Sequence, residues 1–231
     1  MKRIVLIVIL SSGLLGFEAV ASSGRDERNI EALLKYLRPV LKPVDGAARI
    51  YYVGTCNQKG DQSAFPRLNL QAPSSGAVGL AAVRQIVQND KTVTVSKDRS
   101  GMIRINIGKL ASPLLQTRIR SIKLTPDQQY TDWLAIGAIE ESKEVDAART
   151  PGEKAFEKLG GGEVVVCSIL VQSPVEGFPH VPARMRDVTL DQALDSVAKT
   201  FGAIVIYSEW RGPHGALHSY IDFKPVVGYS P

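Results

Sequence analysis

The spacing of apolar residues changes period several times along this chain, and each change predicts an element. Residues 22–28, SSGRDER, read as a polar leader. Ile30, Leu33, Leu34 and Leu37 then share one helical face, with Pro39 expected to end the run. Residues 49–55, RIYYVGT, read as a strand, and 57–66 and 71–76 as loops rich in Gly, Pro, Ser and Asn. Ser74 or Ser75 is placed to cap a helix over 76–89 with Leu80, Val83, Ile86 and Val87 inward. Strands over 92–96 and 102–107 form a hairpin through the turn DRSG. In the second of them Ile103, Ile105 and Ile107 alternate with Arg104 and Asn106, which predicts one buried and one wet face.

The second half repeats this grammar. Thr125, Pro126 and Gln128 form a capping box with proline at the first helical position, and Tyr130, Trp133, Leu134, Gly137 and Ala138 are expected inward. A similar start at Thr150–Glu153 leads to a short helix stopped by Gly160, Gly161 and Gly162. Residues 163–172, EVVVCSILVQ, read as a central strand covered on both faces. Thr189 and Gln192 form another capping box. Leu190, Ala193, Leu194, Val197, Ala198 and Phe201 then make one stripe, with Asp191, Asp195 and Lys199 expected in water. Gly202 ends that helix, strand 203–207 follows, and a turn at 211–213 leads to a last strand at 219–223.

Set side by side, the halves share an order. Strand, Phe-Pro, helix, strand, turn and strand run from Cys56 to Ile107 and again from Cys167 to Phe223. The expected fold class is α+β, built from two similar small units over 22–123 and 124–231. Each unit packs an amphipathic helix on a short mixed sheet, and the two are able to share one core.

The N-terminus changes the picture of where the protein works. Lys2 and Arg3 precede an apolar run from Ile4 to Phe17, then Ala19-Val20-Ala21. This is the pattern of a signal peptide over 1–21, cleaved after Ala21, and it predicts export to the periplasm or beyond. The run is shorter than the roughly 20 residues a bilayer span needs. No later segment reaches that length, so no integral membrane segment is expected after cleavage. The formal charge is +5, with no block of like charges. Composition therefore makes no case for nucleic acid. Cys56 and Cys167 are the only cysteines. In an oxidising compartment they are a disulfide candidate, worth about 4 kcal/mol for a loop of about 110 residues. The alternative is a pair of buried thiols.

The stretch from Pro182 to Glu209 also carries a resemblance. Pro182-Ala183, Val188-Thr189-Leu190, Ala193-Leu194, Val197-Ala198, Gly202 and Ile204-Val205-Ile206-Tyr207 resemble the short N-terminal (STN) domain of secretins and TonB-dependent receptors. The likeness covers about residues 180–224, and a weaker copy at about 65–107 has Asn89-Asp90 in place of the glycine. The resemblance implies a small periplasmic α+β module that makes protein–protein contacts in envelope assemblies. If the repeat holds, Cys56 and Cys167 occupy equivalent positions.

Candidate chemistry is sparse. There is no Gly-x-Ser-x-Gly, and the three glycines at 160–162 lack the Gly-Lys-Ser/Thr ending of a phosphate loop. His214 and His218 are four apart, but Pro213 and Gly215 on either side of His214 argue for a loop and no third ligand is present, so neither a metal nor a cofactor is expected. Arg118 and Arg120, with Lys123, suit an anion-binding strand face or a solvated one. Trp133 and Trp210 suit stacking platforms or core-edge packing. The leading expectation is an exported, non-catalytic module whose partner is another envelope protein. One alternative is a hydrolase pairing His214 or His218 with Glu209 or Asp222. Another is a small-ligand or peptidoglycan-binding module using a tryptophan beside a groove.

Overall fold

A computed structural model describes residues 20–56, 63–108, 112–149, 177–211 and 217–226. In chain order the elements are helix α1 (Val20–Leu41), a 3₁₀ turn (Lys42–Val44), strands β1 (Ala48–Val53), β2 (Thr55–Cys56) and β3 (Ser63–Ala64), and helix α2 (Gly79–Val87). Strands β4 (Val93–Lys97), β5 (Ile103–Ile107) and β6 (Arg118–Lys123) follow, then helices α3 (Pro126–Tyr130), α4 (Asp132–Glu140) and α5 (Lys143–Ala148). The last are β7 (Arg184–Thr189), helix α6 (Leu190–Thr200), β8 (Ala203–Arg211) and β9 (Leu217–Pro225). No helix among the described residues is long and apolar enough to cross a membrane.

The fold is α+β around one five-stranded mixed sheet, ordered β4-β5-β1-β8-β9. β5, β1 and β8 run parallel, and β4 and β9 close the two edges antiparallel. The central strands β1 and β8 are buried along almost their whole length, as near-continuous apolar runs require. On one face Ile50, Ile105 and Ile206 pack under α1 and α2. On the other, Tyr51, Val205 and Tyr207 meet α6, α4 and the inner side of a separate two-stranded ribbon, β6-β7.

Several expectations take a different form here. The two-unit division is not confirmed, because the one sheet draws three strands from residues 22–123 and two from 124–231. The hairpins enter it differently: β4 is an edge and β5 interior, whereas β8 is interior and β9 an edge. α2 and α6 lie on opposite faces. Residues 150–176, with the short helix after Pro151 and the strand predicted at 163–172, lie outside the described residues.

α1 takes in the predicted leader and passes Pro39 to reach Leu41. Val40 and Leu41 are buried beyond the proline. Burying two such side chains contributes about 3–6 kcal/mol, which offsets the roughly 3 kcal/mol a helix proline costs. Ser74 does not cap α2; its carbonyl accepts from Ala77 N–H in a turn, and the helix starts at Gly79 after an uncapped Val78.

Both Thr–Gln capping boxes form, at Thr125/Gln128 and Thr189/Gln192. The helix after the first is broken by an extended Thr131 (φ −128°, ψ 116°). The break rotates the register, so Ala135, Ile136 and Ile139 point inward and Trp133 is 38% exposed. Gly202, at φ +59°, provides the predicted left-handed stop of α6.

Leu194 has no exposed surface and sits at the centre of the α6 stripe. Leu194→Ala is expected to lower unfolding free energy by about 3 kcal/mol, and Trp133→Ala by less than about 1 kcal/mol, in a denaturant titration.

Candidate functional site

Arg49 on β1 and Arg104 on β5 are register partners, so two guanidinium groups stand side by side on the α6 face of the sheet. Asp191 and Asp195, one turn apart on α6, come down onto them. Arg104 donates from Nη1 to Asp191 Oδ2 at 2.9 Å and from Nη2 to Asp195 Oδ2 at 2.6 Å. Its Nε and Nη2 also reach Asp98 Oδ2 in the β4–β5 turn, at 2.9 and 2.7 Å. Arg49 Nη1 pairs with Asp191 Oδ1 and donates to the Asp191 carbonyl at 3.2 Å. Asp195 Oδ1 lies 3.3 Å from Arg49 Nη1 but without hydrogen-bond geometry.

The expectation that Asp191 and Asp195 face water is therefore overturned, whereas β5 keeps the predicted alternation, with its isoleucines buried and Arg104 and Asn106 half-buried beside the helix. Arg49 and Asp195 are 4% and 5% exposed. Carboxylates four apart repel on a lone helix. Here two arginines neutralise them, and the N-terminal end of the helix favours Asp191.

Three carboxylates around two guanidinium groups leave an excess negative charge in a dry place. Burial first, then the charges of Asp191 and Asp98, push the Asp195 carboxyl up to about 7, against the pull of Arg104. Asp191 is raised for the same leading reason.

A second polar layer lies further along the same face. Glu209 on β8 is buried, and its carboxylate accepts from Tyr51 Oη at 2.8 Å, Tyr207 Oη at 2.7 Å and Ser112 Oγ. Tyr51 and Tyr207 stack with ring centroids 5.1 Å apart. Burial, reinforced by Glu209, pushes both phenols well above their ordinary range, so they keep their protons and serve as donors. No lysine, arginine or histidine pairs with Glu209 among the described residues. Between the two layers opens a cleft of about 430 Å³, lined by Arg49, Tyr51, Arg104, Asn106, Ser112 and Gln116 among others.

The residues expected from sequence are dispersed. Trp210 is buried and stacks on His218 of β9 at a centroid distance of 5.4 Å. Trp133 does not line this cleft. Arg118 and Arg120 are exposed on β6. The side chain of Cys56, and all of Cys167 and His214, lie outside the described residues.

A His218–Glu209 pair is ruled out by strand alternation. His218 is registered with Trp210 and Glu209 with Ser219, so the two side chains point to opposite faces. Asp222 lies about 13 Å along β9 from His218 and pairs with Lys224 at 3.0 Å. Among the described residues no group of three His, Cys, Asp or Glu side chains is arranged to hold a metal.

A different kind of site is the β4 edge of the sheet. Gly108 N–H donates to Thr92 C=O and Asp98 N–H to Met102 C=O at the two ends of the hairpin. These bonds fix the even-numbered residues of β4 as those bonded to β5. The N–H and C=O of Val95 and Lys97 therefore point outward, and no other described strand pairs with β4.

No family model, no curated protein and no solved structure matches this chain.

The Asp195 carboxyl binds its proton more tightly in the folded chain than in the unfolded one, where it titrates near 3.9. Between about pH 4 and 7 the folded state holds more protons, so this group's contribution to stability falls as pH rises. Asp195→Asn removes that loss. Denaturation midpoints across this range should show the variant gaining on the native chain with pH, by about 4 kcal/mol at most. A constant difference would contradict the assignment.

Proposed function

We propose that this chain is an exported, non-catalytic contact module of the cell envelope, which takes an extended segment of a partner protein onto the edge of β4. The observation that carries this reading is the outward row of backbone groups at Val95 and Lys97. An unpaired strand edge is a template for strand addition, with main-chain hydrogen bonds supplying affinity. Val93, Thr94 and Val95 are strand-forming residues, and Thr94 and Ser96 are exposed. Lys97 favours an acidic residue at that end of the added segment. The signal-peptide pattern at 1–21 and the STN resemblance over 180–224 support the envelope setting. The interior polar groups support a non-catalytic role: the carboxylates of Asp98, Asp191, Asp195 and Glu209 are each held by neighbouring side chains.

A second reading, a small-ligand module, rests on Arg49. Its Nε and Nη2 make no hydrogen bond among the described residues, and it lines the cleft beside Asp191. A small molecule carrying both an acidic and a basic group suits that pairing.

Proline substitution separates the two readings. Val95→Pro removes an outward donor but no bond of the β4–β5 ladder, and it leaves the cleft intact. It should keep the fold and abolish cross-linking of the partner to a photoreactive group at Ser96. Thr94→Pro removes a ladder bond and should destabilise by about 3 kcal/mol. A folded Val95→Pro chain that cross-links its partner as well as the native one would overturn strand addition at β4.

A further inference from the structure

The outer face of the β6-β7 ribbon gathers cations that are scattered in sequence. β6 exposes Arg118, Arg120 and Lys123, and β7 exposes Arg184 and Arg186. Ile119, Ile122 and Met185 turn the other way and are buried. Register sets Lys123 opposite Arg184 and Ser121 opposite Arg186. Like charges facing each other across an antiparallel pair repel, a cost that packing alone does not require.

Among the described residues, Asp187 and Glu144 bring carboxylates to this face. Asp187 lies 3.4 Å from Arg118, with both side chains about two-thirds exposed, and Glu144 of α5 accepts from the Arg120 backbone N–H at 3.4 Å. Among the described residues the five cations outnumber these carboxylates, so the ribbon is net positive. Strands of this length span about 20 Å.

We propose that this face adsorbs to the surface of an anionic phospholipid bilayer, independently of strand addition at β4. The outward positions of the ribbon hold no aromatic or large apolar side chain. A specific protein interface is organised around such anchors, and single-stranded nucleic acid stacks on them. A bilayer surface needs neither. It attracts each nearby lysine or arginine through the field of its headgroups, worth roughly fivefold in binding per cation. With no apolar wedge to insert, the contact is electrostatic and yields to salt.

The test is co-sedimentation of the full chain with phosphatidylcholine vesicles, with and without about 30% phosphatidylglycerol, at about 0.1 M and about 0.5 M salt. Two double variants are compared. Arg120→Glu/Arg186→Glu reverses charge on the ribbon, and Arg67→Glu/Arg84→Glu makes the same change at exposed sites elsewhere. If the ribbon variant unfolds by circular dichroism, Arg120→Gln/Arg186→Gln replaces it. The expected result is binding to the anionic vesicles alone, at least about tenfold weaker for the ribbon variant and at high salt. The control variant should stay within about threefold of the native chain. Equal binding to neutral vesicles, or equal losses in both variants, would overturn the proposal. So would tight binding to polyglutamate or DNA without binding to vesicles.

Discussion

Arg49 and Arg104 stand on adjacent parallel strands, and Asp191 and Asp195 reach them from the helix above. The seating of α6 depends on this contact. The apolar stripe of the helix meets Val205 and Tyr207, while its acidic flank meets the basic side of the sheet. A rotated or shifted α6 would leave the buried Arg49 guanidinium without a carboxylate and Arg104 with Asp98 alone. A buried ion pair adds little net stability over an apolar equivalent, but losing one partner is expensive. The cluster therefore excludes alternative seatings more than it deepens the native one. Through Asp98 it also ties the β4–β5 turn to the same helix, so the edge strand and the helix are held by one set of charges.

The interior of this face is polar by design of its register. Arg49 and Tyr51 on β1, Arg104 and Asn106 on β5, and Tyr207 and Glu209 on β8 follow the two-residue alternation that points them toward α6. Most of these groups are consumed by one another. Glu209 is held by three hydroxyls, and Arg104 by three aspartates. Among the described residues, the β4 edge and the β6-β7 ribbon lie outside this polar interior and are the surfaces on which the proposed contacts rest.

Local signals were legible in the sequence where a single residue decides a local geometry. Thr125 with Gln128, Thr189 with Gln192, and Gly202 each act within a few residues, and each forms as expected. The β4–β5 hairpin was readable for the same reason. Asp191 and Asp195 were misread because helical periodicity treats every polar flank as solvent-facing. The arginines that cover them are 142 and 91 residues away in sequence. Thr131 carries no Gly or Pro signal for the extended conformation that splits α3 from α4, so Trp133 was turned the wrong way. The basic ribbon is half visible in the sequence: Arg118 and Arg120 lie close together, but Arg184 and Arg186 join them only through strand pairing. The matched order of the two halves suggested a duplication, yet order along the chain does not fix which strands become interior.

The most direct test of this account is a double-mutant cycle on Arg104 and Asp195, using Arg104→Ala and Asp195→Ala at about pH 8, above the carboxyl's raised titration. The charged seating of α6 predicts a coupling of at least about 2 kcal/mol, with the double variant no less stable than either single one. Additive losses, with a coupling below about 0.5 kcal/mol, would show that apolar packing alone places the helix.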